Sequence, residues 1–126
     1  CFGGMSIAAG LCSYLVVTKE ARLGLNGPQV IEQEAGVTEY DSKDKPFIWS
    51  MTGGEIRYET GFADELAVDD VDAVRTAIAK CFAQGIPESF RTDRVGFYLP
   101  RLAGFDASQQ VFPEITKALF SQGDRK

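Results

Sequence analysis

The chain has 126 residues, of which 44% are hydrophobic and 25% charged, with a formal net charge of −5. That length allows one domain with a real core, and that composition is ordinary for a soluble globular protein and argues against disorder. There is no histidine anywhere, which excludes a His-based triad, a His metal site and a His general base within this chain.

Cys1-Phe2-Gly3-Gly4 leads into Met5-Ser6-Ile7-Ala8-Ala9-Gly10-Leu11. The run predicts a short helix over Gly3 to Leu11, apolar on all faces and so buried all round. Glycine pairs let a backbone turn sharply and let a ligand come close. The free N–H groups of a helix start favour negative charge. Two readings follow for the pair: a packing turn, or a backbone device for a phosphate, a carboxylate or an oxygen that becomes negative during a reaction.

Tyr14–Thr18 reads as a buried strand, and Arg22–Leu25 as a second, shorter one. Asn26 or Gly27 caps a helix with Pro28 at its first position, where the missing N–H costs nothing. Val30 and Ile31 are expected to face inward, Glu32 and Glu34 outward, with Gly36 as the stop. Thr38–Lys45 is polar and reads as a solvent loop. Pro46–Met51 reads as a helical turn on the core, and Gly53-Gly54 as the opening of a short helical piece ending near Gly61.

Glu65–Val68 predicts a strand. Asp69-Asp70 then caps a helix over Val71–Gln84, with Ala73, Val74, Ala77, Ile78, Cys81 and Phe82 as its apolar stripe. Gly85 and Pro87 end it. Two further helices are expected, Asp93–Leu102, kinked by Pro100, and Pro113–Gln122. Strands alternating with helices argue for an α/β fold. The domain reading is a core over residues 1–85 and a helical tail over 86–126.

No apolar run approaches a membrane span, and no signal-type segment opens the chain. Cys1, Cys12 and Cys81 are too few and too scattered for a disulfide framework, so they read as reduced, small, buried residues of a cytoplasmic protein. Walker and dinucleotide fingerprints are absent, and no carboxylate or cysteine spacing suits a metal. Residues 1–74 carry 5 Lys/Arg against 13 Asp/Glu, and residues 75–126 carry 8 against 5. The basic second part is either a docking face for an acidic partner or a solvated helix surface. No basic stripe interleaves with aromatics, so nucleic acid is not an expected partner.

Cys1-Phe2-Gly3-Gly4, the strand pattern after it, Asn26-Gly27-Pro28-Gln29-Val30-Ile31, Thr52-Gly53-Gly54-Glu55 and Thr60-Gly61-Phe62-Ala63-Asp64 together resemble the carboxyltransferase branch of the crotonase-like superfamily. Gly3 to Ala35 is most similar to the β-subunit family of biotin-independent malonate decarboxylases. The resemblance covers about residues 1–85 well and the tail loosely. It implies a partial crotonase-like carboxyltransferase domain with C-terminal helices, the C-terminal portion of a longer subunit.

The resemblance implies decarboxylation of a malonyl thioester on an acyl carrier protein, giving an acetyl thioester and CO₂. Gly3 and Gly4 match the family's oxyanion positions, and Cys1, Phe2, Met5, Gly27 and Pro28 fall at the substrate. Phe2, Met5 and Ile7 are expected to exclude water. The chain itself is expected to bind no cofactor or metal. The substrate would ride on a phosphoribosyl-dephospho-CoA arm of the carrier protein. The implied partners are that carrier protein, a γ subunit of similar fold and an acyl carrier transferase subunit, and the chain alone is expected to be inactive.

The proton donor stays open among water, Tyr14, Tyr40, Tyr58, Tyr98 and a partner's group. Two other readings also stay open. One is the carboxyltransferase subunit of a biotin-dependent acyl-CoA carboxylase; the other is a non-catalytic truncated fragment. Cys1 as a nucleophile lacks an evident charge partner. Trp49 reads as a core anchor. Asp64 and Glu65 read as strand-edge carboxylates, with a site role as the other possibility.

Overall fold

The computed structural model describes residues 1–120. A parallel pair of strands, β1 (Val16–Thr18) and β2 (Glu65–Ala67), lies at the centre. The register sets Val16 against Glu65, Val17 against Leu66 and Thr18 against Ala67. A parallel pair needs a long crossover, and here it is built from three helices: α2 (Pro28–Ala35), α3 (Lys45–Thr52) and α4 (Gly54–Glu59). Helix α1 (Gly4–Gly10) precedes β1. Helix α5 (Val71–Gln84), a 3₁₀ turn at Arg91–Asp93, α6 (Val95–Leu102) and α7 (Pro113–Phe120) follow β2. The mixed helix and strand reading therefore holds among the described residues. The expected end of the last helix at Gln122 lies outside them.

The core is small and sits between the strands, α4 and α5. Val17, Leu23, Ile48, Ile56, Ala63, Ala67, Ala77 and Cys81 are buried, Ile48 most completely. Helix α5 starts where the sequence places it. Asp70 caps it, its carboxylate accepting from the Asp72 and Ala73 N–H groups at 3.1 Å each. Helix α3 is likewise capped by Asp44, which accepts from Phe47 N–H at 3.1 Å, so the expected helical turn becomes two full turns. In the tail, Pro100 is inside α6, where it cannot donate a backbone hydrogen bond.

Several expectations need correction. Helix α1 is not buried all round: Met5, Ile7 and Leu11 are exposed, and only Ser6 is buried. Val30 is exposed on α2, and α5 buries only Ala77 and Cys81 of its stripe, leaving Phe82 82% exposed. Cys1 and Cys12 are exposed, and all three thiols are free. The reason is common to these cases. Apolar spacing states which face seeks cover, and the described residues provide cover for part of each face only. Glu32 also departs from its expected outward path: it turns back to accept from Ser42 N–H at 2.6 Å, bracing the loop after α2.

The Arg22–Leu25 strand is reduced to a bridge between Arg22 and Gly53 plus single hydrogen bonds. On one side Leu23 N–H donates to the Thr52 carbonyl at 2.7 Å. On the other side Gly24 N–H donates to the Cys1 carbonyl at 3.2 Å, and Cys1 N to the Arg22 carbonyl at 2.7 Å. Residues 1–3 thus run alongside residues 22–25 with the bonding pattern of a parallel pair.

Candidate functional site

The elbow at the start of α1 is built from backbone. Gly3 adopts φ 70°, ψ −148°, a conformation that side chains with a Cβ rarely take. Its own N–H donates to the Leu25 carbonyl at 2.7 Å. Its carbonyl accepts twice from Ser6, from the N–H at 3.0 Å and the hydroxyl at 2.6 Å. Ser6 is therefore buried for a reason that the sequence did not disclose: it locks the elbow. With Gly3 N–H committed, the N–H groups of Gly4 and Met5 are those without an acceptor among the described residues. They are the orphan donors of a helix start. A Cβ on Gly4 would meet nothing within 4 Å, so this chain leaves open space there.

The remaining predicted substrate residues gather around this elbow unevenly. Phe2 is half-buried, packed on Gly24, with the Arg22 guanidinium 5.6 Å from its ring. Cys1, Met5 and Ile7 are exposed, so the expected screen against water is not closed by this chain. Gly27 caps α2 with extended backbone, and Pro28 takes the first helical position. The hydrogen bond from Gly3 N–H to Leu25 places the segment leading into that cap beside the elbow.

A cleft of about 420 Å³ runs along one face of α1. Ser6, Ile7 and Leu11 form one wall, the segment Leu23–Leu25 another, and Arg57, Phe62, Arg91 and Tyr98 complete it. Of these four, Tyr98 is one of the candidate proton donors named from the sequence, and the two arginines and Phe62 were not singled out as site residues. Arg57 and Arg91 are far apart in sequence and become neighbours only through the fold. Arg91 is 8% exposed. Its Nε donates to the Cys12 carbonyl at 3.0 Å, one terminal nitrogen donates to the Phe62 carbonyl, and the other to Asp64 Oδ2 at 2.6 Å. Asp64 also accepts from Leu15 N–H at 2.7 Å. The Asp64 carboxylate is thus a clamp between β1 and the 3₁₀ turn.

Other singled-out groups have structural partners. Trp49 donates from Nε1 to the Glu20 carbonyl at 3.1 Å, and Arg22 stacks on its ring at 4.3 Å. Glu65 pairs with Lys80 at 3.4 Å. Of the tyrosines, Tyr14 donates to the Gly85 carbonyl at 2.8 Å. The Tyr40 hydroxyl is buried without a hydrogen-bond partner, and burial pushes its pKa up while Arg57 works against that rise. Burial also raises the Cys81 thiol, reinforced by Asp64 and Glu65. Among the described residues no cluster of cysteines and carboxylates could hold a metal ion. No helix among them is long and apolar enough to cross a membrane.

The fold is matched in a solved structure. A crystal structure of a Pseudomonas malonate decarboxylase hetero-tetramer in complex with malonate contains a chain 58% identical to this one, with a TM-score of 0.89 over 95% of this chain and 44% of that one. This chain is a relative of the malonate decarboxylase subunits. The MdcD–MdcE hetero-dimer of the Pseudomonas enzyme is also similar, at 55% identity and a TM-score of 0.67 over 82% of this chain and 41% of that one. A curated relative, the malonyl-S-ACP:biotin-protein carboxyltransferase MADC of Malonomonas rubra, is 34% identical over 96 residues, which is 76% of this chain and 30% of that protein. The chain spans less than half the length of these relatives. No family model matches it.

Proposed function

We propose that this chain is the C-terminal part of a malonate decarboxylase β subunit with a crotonase-like fold. In this reading its elbow stabilises the enolate formed when a malonyl thioester on an acyl carrier protein loses CO₂. The observation that carries the reading is the 58% identity to a malonate decarboxylase chain, extending over 95% of this chain. The chemistry fits a site without a histidine. The bond between the carboxyl carbon and the α-carbon breaks, and CO₂ leaves neutral. The electron pair moves onto the thioester carbonyl, whose oxygen becomes negative. A proton added to the α-carbon then gives the acetyl thioester. The need is for preorganised N–H donors at that oxygen, each worth about 2.7–4 kcal/mol of barrier.

Gly4 and Met5 are the donors that the structure leaves free, and Gly3 sets their direction through its left-handed φ. Gly3 therefore shapes the hole rather than donating to it. Cys1, Phe2, Gly27 and Pro28 support the elbow and its neighbouring turn. The water-excluding cover is assigned to a γ subunit of similar fold. The acyl carrier protein, with its phosphoribosyl-dephospho-CoA arm, delivers the substrate, a transferase subunit loads it, and the complex works in the cytoplasm.

The test is Gly4→Val in the assembled complex. A lost donor lowers kcat by about 10²–10³, with a smaller change in KM, because the contact strengthens only as charge develops. Unchanged turnover by folded protein would eliminate the oxyanion assignment. A second reading rests on the Malonomonas rubra relative: the same enolate chemistry with the carboxyl group passed to a biotin protein. Avidin sensitivity of turnover would select it over the biotin-independent reaction.

A further inference from the structure

Arg57 and Arg91 line the same cleft, and their charges are met differently. Arg91 has a carboxylate partner and uses all three nitrogens on this chain. Arg57, on α4, donates from Nε to the Leu23 carbonyl at 2.8 Å and lies 5.8 Å from the Phe62 ring. Among the described residues no carboxylate pairs with it, and its terminal nitrogens have no acceptor. Burial lowers its pKa below the ordinary guanidinium value, with Tyr40 partly opposing. The nearby cleft walls are apolar: Ile7, Leu11, Leu25 and Phe62. Arg57 is half-buried, and a partly desolvated cation without a counter-charge is costly to hold. Nε is committed to Leu23, so the two terminal nitrogens form an end-on fork. That fork matches the two oxygens of a carboxylate in one plane.

We propose that Arg57 anchors a small carboxylate in this cleft, and that this carboxylate is the one a malonyl thioester loses as CO₂. The second clause rests on the malonyl reading above. The anchor then recognises the substrate before the reaction. When the C–C bond breaks, the carboxylate becomes neutral CO₂ and the ion pair is gone. The acetyl thioester has no group for Arg57 and is held less tightly than the substrate. Arg57 is thus a specificity-determining residue for ground-state binding, distinct from the N–H groups that act on the enolate.

The experiment compares wild type, Arg57→Met and Arg57→Lys in the intact complex, with malonyl and acetyl thioesters of the carrier protein as probes. Loss of a charged hydrogen-bonded anchor is expected to raise KM for the malonyl thioester about 10- to 100-fold. The acetyl thioester's affinity should be unchanged, and kcat should move far less than KM. Arg57→Lys should recover part of the loss, since it keeps the charge but not the fork. Equal weakening of malonyl and acetyl binding overturns the proposal, as does an unchanged malonyl KM. Failure of both variants to assemble overturns it in favour of a partner's carboxylate on Arg57. If wild-type complex does not turn over malonyl thioester at all, the malonyl reading falls first. Malonate binding that is lost in Arg57→Met would then still support the carboxylate anchor, and binding retained in that variant would refute it.

Discussion

Two Gly-Gly pairs in this chain have opposite surroundings. Gly53-Gly54 is buried at the junction of α3 and α4. A Cβ on Gly53 would stand 2.3 Å from the Trp49 carbonyl oxygen, and one on Gly54 1.8 Å from that of Thr18. Gly54 N–H also donates to the Ala21 carbonyl at 2.8 Å, tying α4 to the chain just after β1. Gly3-Gly4 is exposed, and a Cβ on either residue meets nothing within 4 Å. The first pair is small because its own chain presses on it. At Gly4 no contact within the chain demands a glycine. The two arginines of the cleft repeat the contrast: Arg91 is matched within the chain, Arg57 is not.

The contrast can be broken at several points. The largest stability effect is expected at the matched arginine. Arg91→Met leaves Asp64 with an unpaired charge and removes the donors to the Cys12 and Phe62 carbonyls, costing about 3–5 kcal/mol. Denaturant unfolding of the complex would register it, and a loss under 1 kcal/mol would show that the clamp is dispensable. Gly54→Ala comes next, at about 1–3 kcal/mol from forced overpacking against Thr18. A neutral result would refute the packing account of the buried pair.

Gly3→Ala should cost about 1–3 kcal/mol, because an alanine there must hold φ 70° with ψ −148°, a combination open essentially to glycine alone. Its distinguishing mark is that Gly3→Asn should lose about as much as Gly3→Ala, since asparagine tolerates positive φ only with the ψ of the left-handed helical region and not with ψ −148°. Gly4→Ala should shift stability by no more than about 0.5 kcal/mol. Thermal melts beside turnover assays would check it, and a large drop in melting temperature would place Gly4 with the packed pair. The smallest effect concerns the helix beside the open elbow. Glu32 has its pKa lowered by the Ser42 backbone N–H and hydroxyl. Its contribution is therefore complete above the unfolded carboxylate value and is lost as pH falls through the folded one. Wild type should lose slightly more stability than Glu32→Gln on acidification below about pH 5, and parallel pH profiles would remove the bracing role.

Much of the element order was legible in the sequence. Local signals are strongest where a side chain acts on its own backbone, as with Asp70 at the start of α5 and Pro28 at the start of α2. The Gly3 elbow was also legible, because the need for a glycine at φ 70° is a property of one residue. Which faces are covered was not. Ile7, Val30 and Phe82 carry the period of buried residues, yet they are exposed, because burial depends on what else is present to pack on them.

The sequence by itself determined the alternation of helices with short strands, the capped start of α5, the kinship of the chain and the absence of any histidine chemistry. These follow from residue type, local spacing and motif. Only the tertiary structure decided that Gly3 N–H is committed to Leu25, that Ser6 locks the elbow, and that Arg57 and Arg91 meet in one cleft with unequal partners. Each is a contact between residues distant in sequence or a choice among hydrogen-bond acceptors. Periodicity does not encode such choices; they are settled when the crossover from β1 to β2 brings α4 against the 23–25 segment and the chain after α5 brings the 3₁₀ turn against the end of α1.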